Sequence, residues 1–328
     1  MTPARLYTLL GILVAGLFLA ALLTGVAAVD PVTALRALMT GGEGPVGIVM
    51  REIRLPRALL AAMVGACLGL SGAALQGLLR NPMAEPGVIG ISAAAGLGAV
   101  LALQTGLAAA YAFALPAAAL VGALAGVGAI LFLAGAGGGT LALILAGIAL
   151  SALCSAATAL VLNLSPNPFA AQDIVFWMMG SLADVSFTHV LLAAPLMALG
   201  AFLLWRTGPG LEALTLGEEA AASMGVNLAR LRLSVVLGTA AAVGAATAVA
   251  GTVGFVGLVV PHVLRPLVNA HPSRLLPAAA LGGAGLVLAA DIAVRLVLPG
   301  QDLKIGVLLA LVGAPVFLHL IWRMRGAA

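Results

Sequence analysis

The sequence predicts an all-α, polytopic membrane protein, and three observations carry that prediction. Only about 8% of the 328 residues are charged, 15 of them Lys or Arg and 11 Asp or Glu, where soluble domains carry roughly a quarter. Hydrophobic residues make up 63% and the mean hydropathy is +1.21, so lipid rather than water is the main solvent. No Asp, Glu, Lys or Arg occurs between Glu85 and Asp173, a run of 87 residues. At roughly 20 residues per span, that run alone crosses a membrane about three times. The apolar stretches are rich in Ala, Leu, Gly and Val and lack the ~10-residue alternating segments of outer-membrane barrels, so they are read as helices.

Ten apolar elements follow in order: 6–29, 58–79, 87–106, 111–134, 141–164, 190–205, 233–252, 258–268, 275–298 and 305–322. The first begins just after Arg5. Its 24 residues exceed the roughly 7–15 of a signal-peptide core, so it is expected to be an uncleaved span. The eighth has 11 residues, about 16 Å of helix, and cannot cross alone. A broken element beside Gly and Pro implies backbone that lines a cavity rather than lipid. Two stretches run a long Gly/Ala-rich helix into a Pro-broken segment, at Asn81-Pro82 and at Pro261-His262, a faint sign of two related halves.

An even number of elements puts both termini on one side. Arg5, Arg80, Arg206, Arg230, Arg232, Arg274, Arg323 and Arg325 fall there, and Arg36, Arg51, Arg54, Arg57, Arg295 and Lys304 fall opposite. The excess favours cytoplasmic termini, although six basic residues are many for an outer face. Two outer connections, 30–56 and 165–189, and one inner segment, 206–232, are longer than turns. The net charge of +4 is dispersed and Lys304 is the sole lysine, which leaves no nucleic-acid patch. Cys67 and Cys154 lie in apolar stretches at no metal-binding spacing.

Within the inner segment, Thr215-Leu-Gly-Glu218 has the spacing of a capping box. It predicts a short helix over 216–224, with Glu218 and Glu219 at the positive end of its dipole and Gly225 as a left-handed stop. Leu216, Ala220 and Met224 line one face. Helices that lie on a membrane usually carry Lys or Arg on their polar face. This one has two Glu and no base, so it is read as a knob for a cytoplasmic partner.

Catalytic and nucleotide-binding patterns are missing. No G-x-x-x-x-G-K-[ST] occurs, and the glycine-rich run 135–139 has no Lys and reads as an inner turn. His189, His262, His271 and His319 are too scattered for a metal site, and no Ser/His/Asp grouping stands out. Asp291 is the one acid placed inside a span, with Arg295 one turn on. A proton relay would need more than one such residue. A stand-alone secondary transporter would use a broken helix but would leave the inner knob without a role. An intramembrane enzyme lacks its catalytic groups.

Six stretches, in order from Arg51 to Arg325, resemble the FecCD-type permeases, the membrane subunits of ABC importers for iron-siderophores, haem and cobalamin. They are Ile53-Arg-Leu-Pro-Arg57, Gly69-Leu-Ser-Gly-Ala-Ala-Leu-Gln76, Asn81-Pro-Met-Ala-Glu-Pro-Gly87 with Gly90-Ile-Ser92, Leu216-Gly-Glu-Glu-Ala-Ala221 with Met224-Gly-Val-Asn227, Gly254-Phe-Val-Gly-Leu-Val-Val-Pro-His262, and Gly313-Ala-Pro-Val-Phe317. The resemblance implies a type II ABC importer permease in a single transmembrane domain over 1–328. It implies about ten transmembrane helices per subunit, a homodimer in the bacterial inner membrane with cytoplasmic termini, two ATPase subunits below and a periplasmic binding protein above. No cofactor is implied for this chain, since ATP and Mg belong to the ATPase.

The resemblance also assigns residues. Arg54, Arg57 and Arg295 match arginines that receive carboxylates of the binding protein. Leu214, Leu216, Gly217, Glu218, Glu219, Ala220, Met224 and Gly225 match the segment that couples to the ATPase. Asn81 and Met83, with Gly139 and Thr140 across from them, match the cytoplasmic gate. The cargo is expected to be an iron chelate, siderophore or haem, with cobalamin as the alternative.

Overall fold

The computed structural model describes residues 2–25, 29–40, 44–111, 113–135, 139–165, 168–297 and 303–325. All ten apolar elements are helical. In order, the α-helices are α1 (Pro3–Leu23), α2 (Pro31–Thr40), α3 (Pro45–Ile48), α4 (Leu55–Leu78), α5 (Ile91–Gln104), α6 (Leu107–Ala110), α7 (Ala114–Ala134) and α8 (Thr140–Asn163). They continue with α9 (Pro168–Met178), α10 (Phe187–Trp205), α11 (Gly208–Leu214), α12 (Glu218–Ser223), α13 (Leu228–Ala250), α14 (Val256–Leu264), α15 (Pro272–Val297) and α16 (Ile305–Arg325). Among the described residues, seven helices are long and apolar enough to cross a membrane. α5 and α16 are shorter apolar helices by the same measure, and α14 is the broken element expected from its length.

Several boundaries move from those read in the sequence, for one physical reason. Charged residues at a membrane interface sit on helix surface instead of ending the helix. α13 therefore begins at Leu228 and carries Arg230 and Arg232 on its first turns, and α15 begins at Pro272 and carries Arg274. α1 ends at Leu23 because Thr24 turns extended (φ −85°, ψ 133°), and 26–28 lie outside the described residues. So do 136–138 of the glycine-rich run, Pro166, and the last residue of the ninth element.

The centre of the bundle is α4, α13 and α15. In the apolar windows of α4 and α13, 78% of residues are buried, against 17% in α1, which lies against α15. With no hydrophobic force between helices in lipid, association rests on close packing of small residues. Gly65 and Gly69 of α4 are one turn apart and cross Ala279 and Gly283 of α15; a Cβ on any of the three glycines would collide with the backbone carbonyl opposite. Gly98 and Gly122 do the same for α5 and α7, and a Cβ on Gly200 of α10 would meet the backbone of Gly238 and Ala242 of α13.

Ordinary overpacking costs ~1–3 kcal/mol because side chains move aside, but here the obstacle is backbone. Gly65→Leu is therefore expected to exceed that range and to remove the monodisperse folded species on size exclusion in detergent. A Gly65→Leu protein of unchanged melting behaviour would show that this crossing is loose.

Candidate coupling and gating sites

One end of the bundle, here the upper end, collects the C-terminus of α1, the N-terminus of α4 and the C-terminus of α15. A helix leaves its last carbonyls without intrahelical partners, and in lipid each must find a donor. Arg54 Nη1 donates to the carbonyls of Leu22 (2.9 Å) and Leu23 (3.2 Å). Arg295 Nη1 donates to those of Ala21 (2.9 Å) and Thr24 (2.7 Å). Two guanidiniums from distant helices thus cap α1. Gly25 makes room, since a Cβ there would lie 2.7 Å from Arg54 Nη2.

Asp291, fully buried, accepts from Arg57 Nε (2.8 Å) and Arg295 Nη2 (2.5 Å). The i, i+4 pair expected from the sequence is present, and Arg57 joins it from α4. A π turn over Val49–Arg54 precedes α4 and rotates Arg54 inward, where it is 4% exposed. Arg57 and Arg295 keep 15% and 10% of their side-chain surface.

The lower end holds the inner segment. α11 packs against α4 and α15, and Leu211 and Leu214 are buried, so Leu214 anchors the segment and is not part of its exposed surface. The capping box does not form. Thr215 is the C-cap of α11: its N–H and its hydroxyl both donate to the Glu212 carbonyl (3.1 and 2.7 Å), which ties it to α11, and the N-cap of α12 is Gly217. Gly217, at φ 110°, makes the turn that only glycine adopts easily, and α12 starts at Glu218, not at 216.

Glu218 and Glu219 occupy the first turn as expected, and Gly225 at φ 86° is the left-handed stop. Glu218 reaches Arg232 of α13 (2.8 Å), so the segment has a basic neighbour that its own residues do not show. Leu216 and Met224 stay exposed, at 68% and 63%. Glu212 accepts from the Ser273 hydroxyl and contacts His271 Nδ1 (3.1 Å) at the start of α15. The Ser273 hydroxyl holds this carboxyl below the ordinary carboxylate range, and His271 and Arg274 add to the effect.

The two Pro-broken stretches meet inside the bundle. After α4, Arg80 takes a left-handed conformation (φ 49°), and Asn81 Oδ1 accepts from the Met83 N–H (2.9 Å). The chain then climbs back beside α4: Glu85 and Leu68 line one cavity of about 160 Å3, and Leu68 lies ten residues, about 15 Å, above the end of α4. The Glu85 carboxylate accepts from the Phe255 N–H (2.5 Å) at the N-terminus of α14, where a helix dipole favours negative charge. Gly90 backs onto Gly147 of α8, so the re-entrant segment touches the helix that Thr140 begins. Thr140's side chain lies outside the described set.

Gln76 is the hub of this region and was not singled out by its residue type. Its buried amide nitrogen faces the carbonyls of Ala84, Gly257 and Leu258 at 3.3–3.4 Å, and its oxygen accepts from Arg265 Nη2 (2.7 Å). Beyond Arg265, Asn269 and Ala270 are consecutive left-handed residues (φ 54° and 58°) that lead to His271 and Ser273. Hydrogen-bonded contacts thus lead from the inner segment to the start of α15, and from Arg265 to the re-entrant loop. Gln76→Leu leaves Arg265 and three carbonyls short of partners, at about 1–3 kcal/mol for each buried group left unmade. It is expected to lower the unfolding temperature and slow transport while the ATPase still binds. Gln76→Glu, which keeps the bond to Arg265, is expected to lose less. Equal stability and transport in Gln76→Leu and wild type would remove Gln76 from this role.

Ser92 and Gly96 of α5, Ser155 and Thr158 of α8, Met178 and Thr252 line a separate groove of about 360 Å3. Ser155 and Ala159 lie exposed along it.

A membrane bundle with a broken short helix, α14, and a protruding inner helix, α12, has the architecture of the permease class of membrane transport subunit. The FecCD transport family matches residues 12–323, and the chain belongs to that family. It is 41% identical over 284 residues to the hemin transport system permease protein HmuU of Yersinia pestis, covering 84% of this chain and 83% of that protein. It is 40% identical over 275 residues to the vitamin B12 import system permease protein BtuC of Klebsiella pneumoniae, covering 84% and 82%. A metal-chelate type ABC transporter solved in an inward-facing conformation superposes with a TM-score of 0.86 at 31% identity, covering 98% of this chain and all of that one. The chain is thus a multi-pass ABC importer permease, and ATP hydrolysis belongs to a separate subunit.

Proposed function

We propose that this permease moves an iron chelate, siderophore or haem, from periplasm to cytoplasm by alternating access, as a homodimer in the bacterial inner membrane with cytoplasmic termini. The observation that carries the reading is the groove of small and hydroxyl-bearing residues on α5 and α8, open on a face that a second copy would complete. It has no fixed charge matched to one cargo, so selectivity falls to the binding protein. The likeness to a hemin permease and to a metal-chelate transporter supports the chelate. A cobalamin cargo is the second reading, supported by the 40% identity to BtuC.

Two ATPase subunits would dock on Leu216, Gly217, Glu218, Glu219, Ala220, Met224 and Gly225. Asn81, Met83, Gly139 and Thr140 would form the gate. Arg57 and Arg295, two guanidiniums sharing one Asp291 carboxylate, would receive a carboxylate of the binding protein, with Arg54 holding the cluster in place. Such a contact weakens as salt rises.

The test is uptake by proteoliposomes containing the permease with its ATPase and binding protein. Haem or a ferric siderophore is expected to accumulate with ATP, and cobalamin is not. Accumulation of cobalamin alone would overturn the chelate reading and leave the permease reading intact. No ATP-dependent uptake of any of the three would overturn this cargo class.

A further inference from the structure

A groove of about 710 Å3 opens at the lower end between the C-terminus of α7, the N-terminus of α8 and the N-terminus of α13. Its walls are apolar: Leu131 of α7, Leu143 of α8, and Leu233 and Val236 of α13. Its mouth carries Arg230 and Arg232. The charge at the mouth is not balanced by the protein. Arg232 is held by Glu218 at 2.8 Å, but among the described residues Arg230 is exposed and forms no ion pair. The first turn of α13 adds the partial positive charge of a helix N-terminus.

Depth matches charge. From Arg230 to Val236 is six residues, about 9 Å along the helix axis, so the groove runs from a charged end to an apolar one within the length of a lipid head and the start of its acyl chain. A cationic mouth above an apolar slot between membrane helices is complementary to an amphiphile with a negative head. We infer that this groove binds an anionic phospholipid, its phosphate on Arg230 and an acyl chain along Leu131, Leu143 and Leu233. The groove borders the α7–α8 turn that carries Gly139 and Thr140, and Arg232 links it to Glu218 of α12, so a lipid seated there would lie beside the coupling and gating segments.

The test uses the full-length permease, purified and placed in nanodiscs of phosphatidylcholine alone or mixed with phosphatidylglycerol, with retained lipid read by native mass spectrometry. Wild type is expected to retain phosphatidylglycerol over phosphatidylcholine by about fivefold, the worth of one interfacial basic residue. Arg230→Gln is expected to remove that preference. Leu143→Trp, which fills the slot without touching charge, is expected to lower retention of both lipids.

Equal retention of the two lipids by wild type, or unchanged preference in Arg230→Gln, overturns the inference. Displacement of phosphatidylglycerol by inorganic phosphate at the same concentration would mean an anion site without an acyl slot, and overturns it too. Loss of the lipid once the ATPase is bound would assign the groove to that interface instead.

Discussion

Asp291→Ala is expected to destabilise the permease by ~3–5 kcal/mol, the cost of removing one partner from a buried ion pair. Asp291 has no exposed surface, and its two oxygens hold Arg57 and Arg295. Without it, two guanidiniums remain against each other with little exposed surface. Arg295 also loses the bonds that aim its other nitrogen at the carbonyls of Ala21 and Thr24, so the end of α1 frays. Detergent-solubilised protein should unfold at a clearly lower temperature, with proteolysis starting near α1. Asp291→Asn keeps the shape and one acceptor and should fall between alanine and wild type. Adding Arg57→Leu to Asp291→Ala removes one stranded charge and should recover part of the loss, which a double-mutant cycle measures. A change below about 1 kcal/mol, the range of exposed pairs, would show that water reaches the cluster.

Glu218→Arg together with Glu219→Arg is expected to cut transport-coupled ATP hydrolysis by about tenfold or more, since a mispaired interfacial charge costs ~2–5 kcal/mol. The bundle should stay folded, because both carboxylates are exposed and α12 hangs from buried Leu211, Leu214 and Ala221. Arg232 gives the experiment its control. Reversing Glu218 sets two arginines against each other across the 2.8 Å pair, and this could distort α12 without any partner. Adding Arg232→Glu restores a pair of opposite sign inside the chain. If coupling returns in that triple variant, the defect was internal and α12 is not the contact surface. If coupling stays lost while the melting temperature recovers, the loss lies at the ATPase.

The bundle was largely legible in the sequence. Ten apolar elements are found as helices, the eighth is short, and Glu218, Glu219 and Gly225 hold the positions their types imply. The sites were legible only in part. The capping box failed because Thr215 had a nearer use in α11, and a rule of local spacing does not weigh one helix end against the next. The close crossings of Gly65 and Gly69 with α15 were hidden because glycine is common throughout the chain, with 42 residues, and only the partner backbone marks which ones matter. The inward turn of Arg54 was not legible because a π turn adds a residue to the helical phase, and nothing in Ile53-Arg-Leu-Pro-Arg57 announces it.

Which segments enter lipid can be read from the residues alone, because partition into a bilayer is a sum over neighbouring residues and needs no knowledge of the rest of the chain. What each polar group inside the bundle is for depends on how distant helices pack. Arg57 meets Asp291 across 234 residues, and Gln76 meets Arg265 across 189. In a medium without water, a buried donor or acceptor must be satisfied by whatever the helix crossings bring within about 3 Å. Those crossings are set by small-residue packing between distant helices.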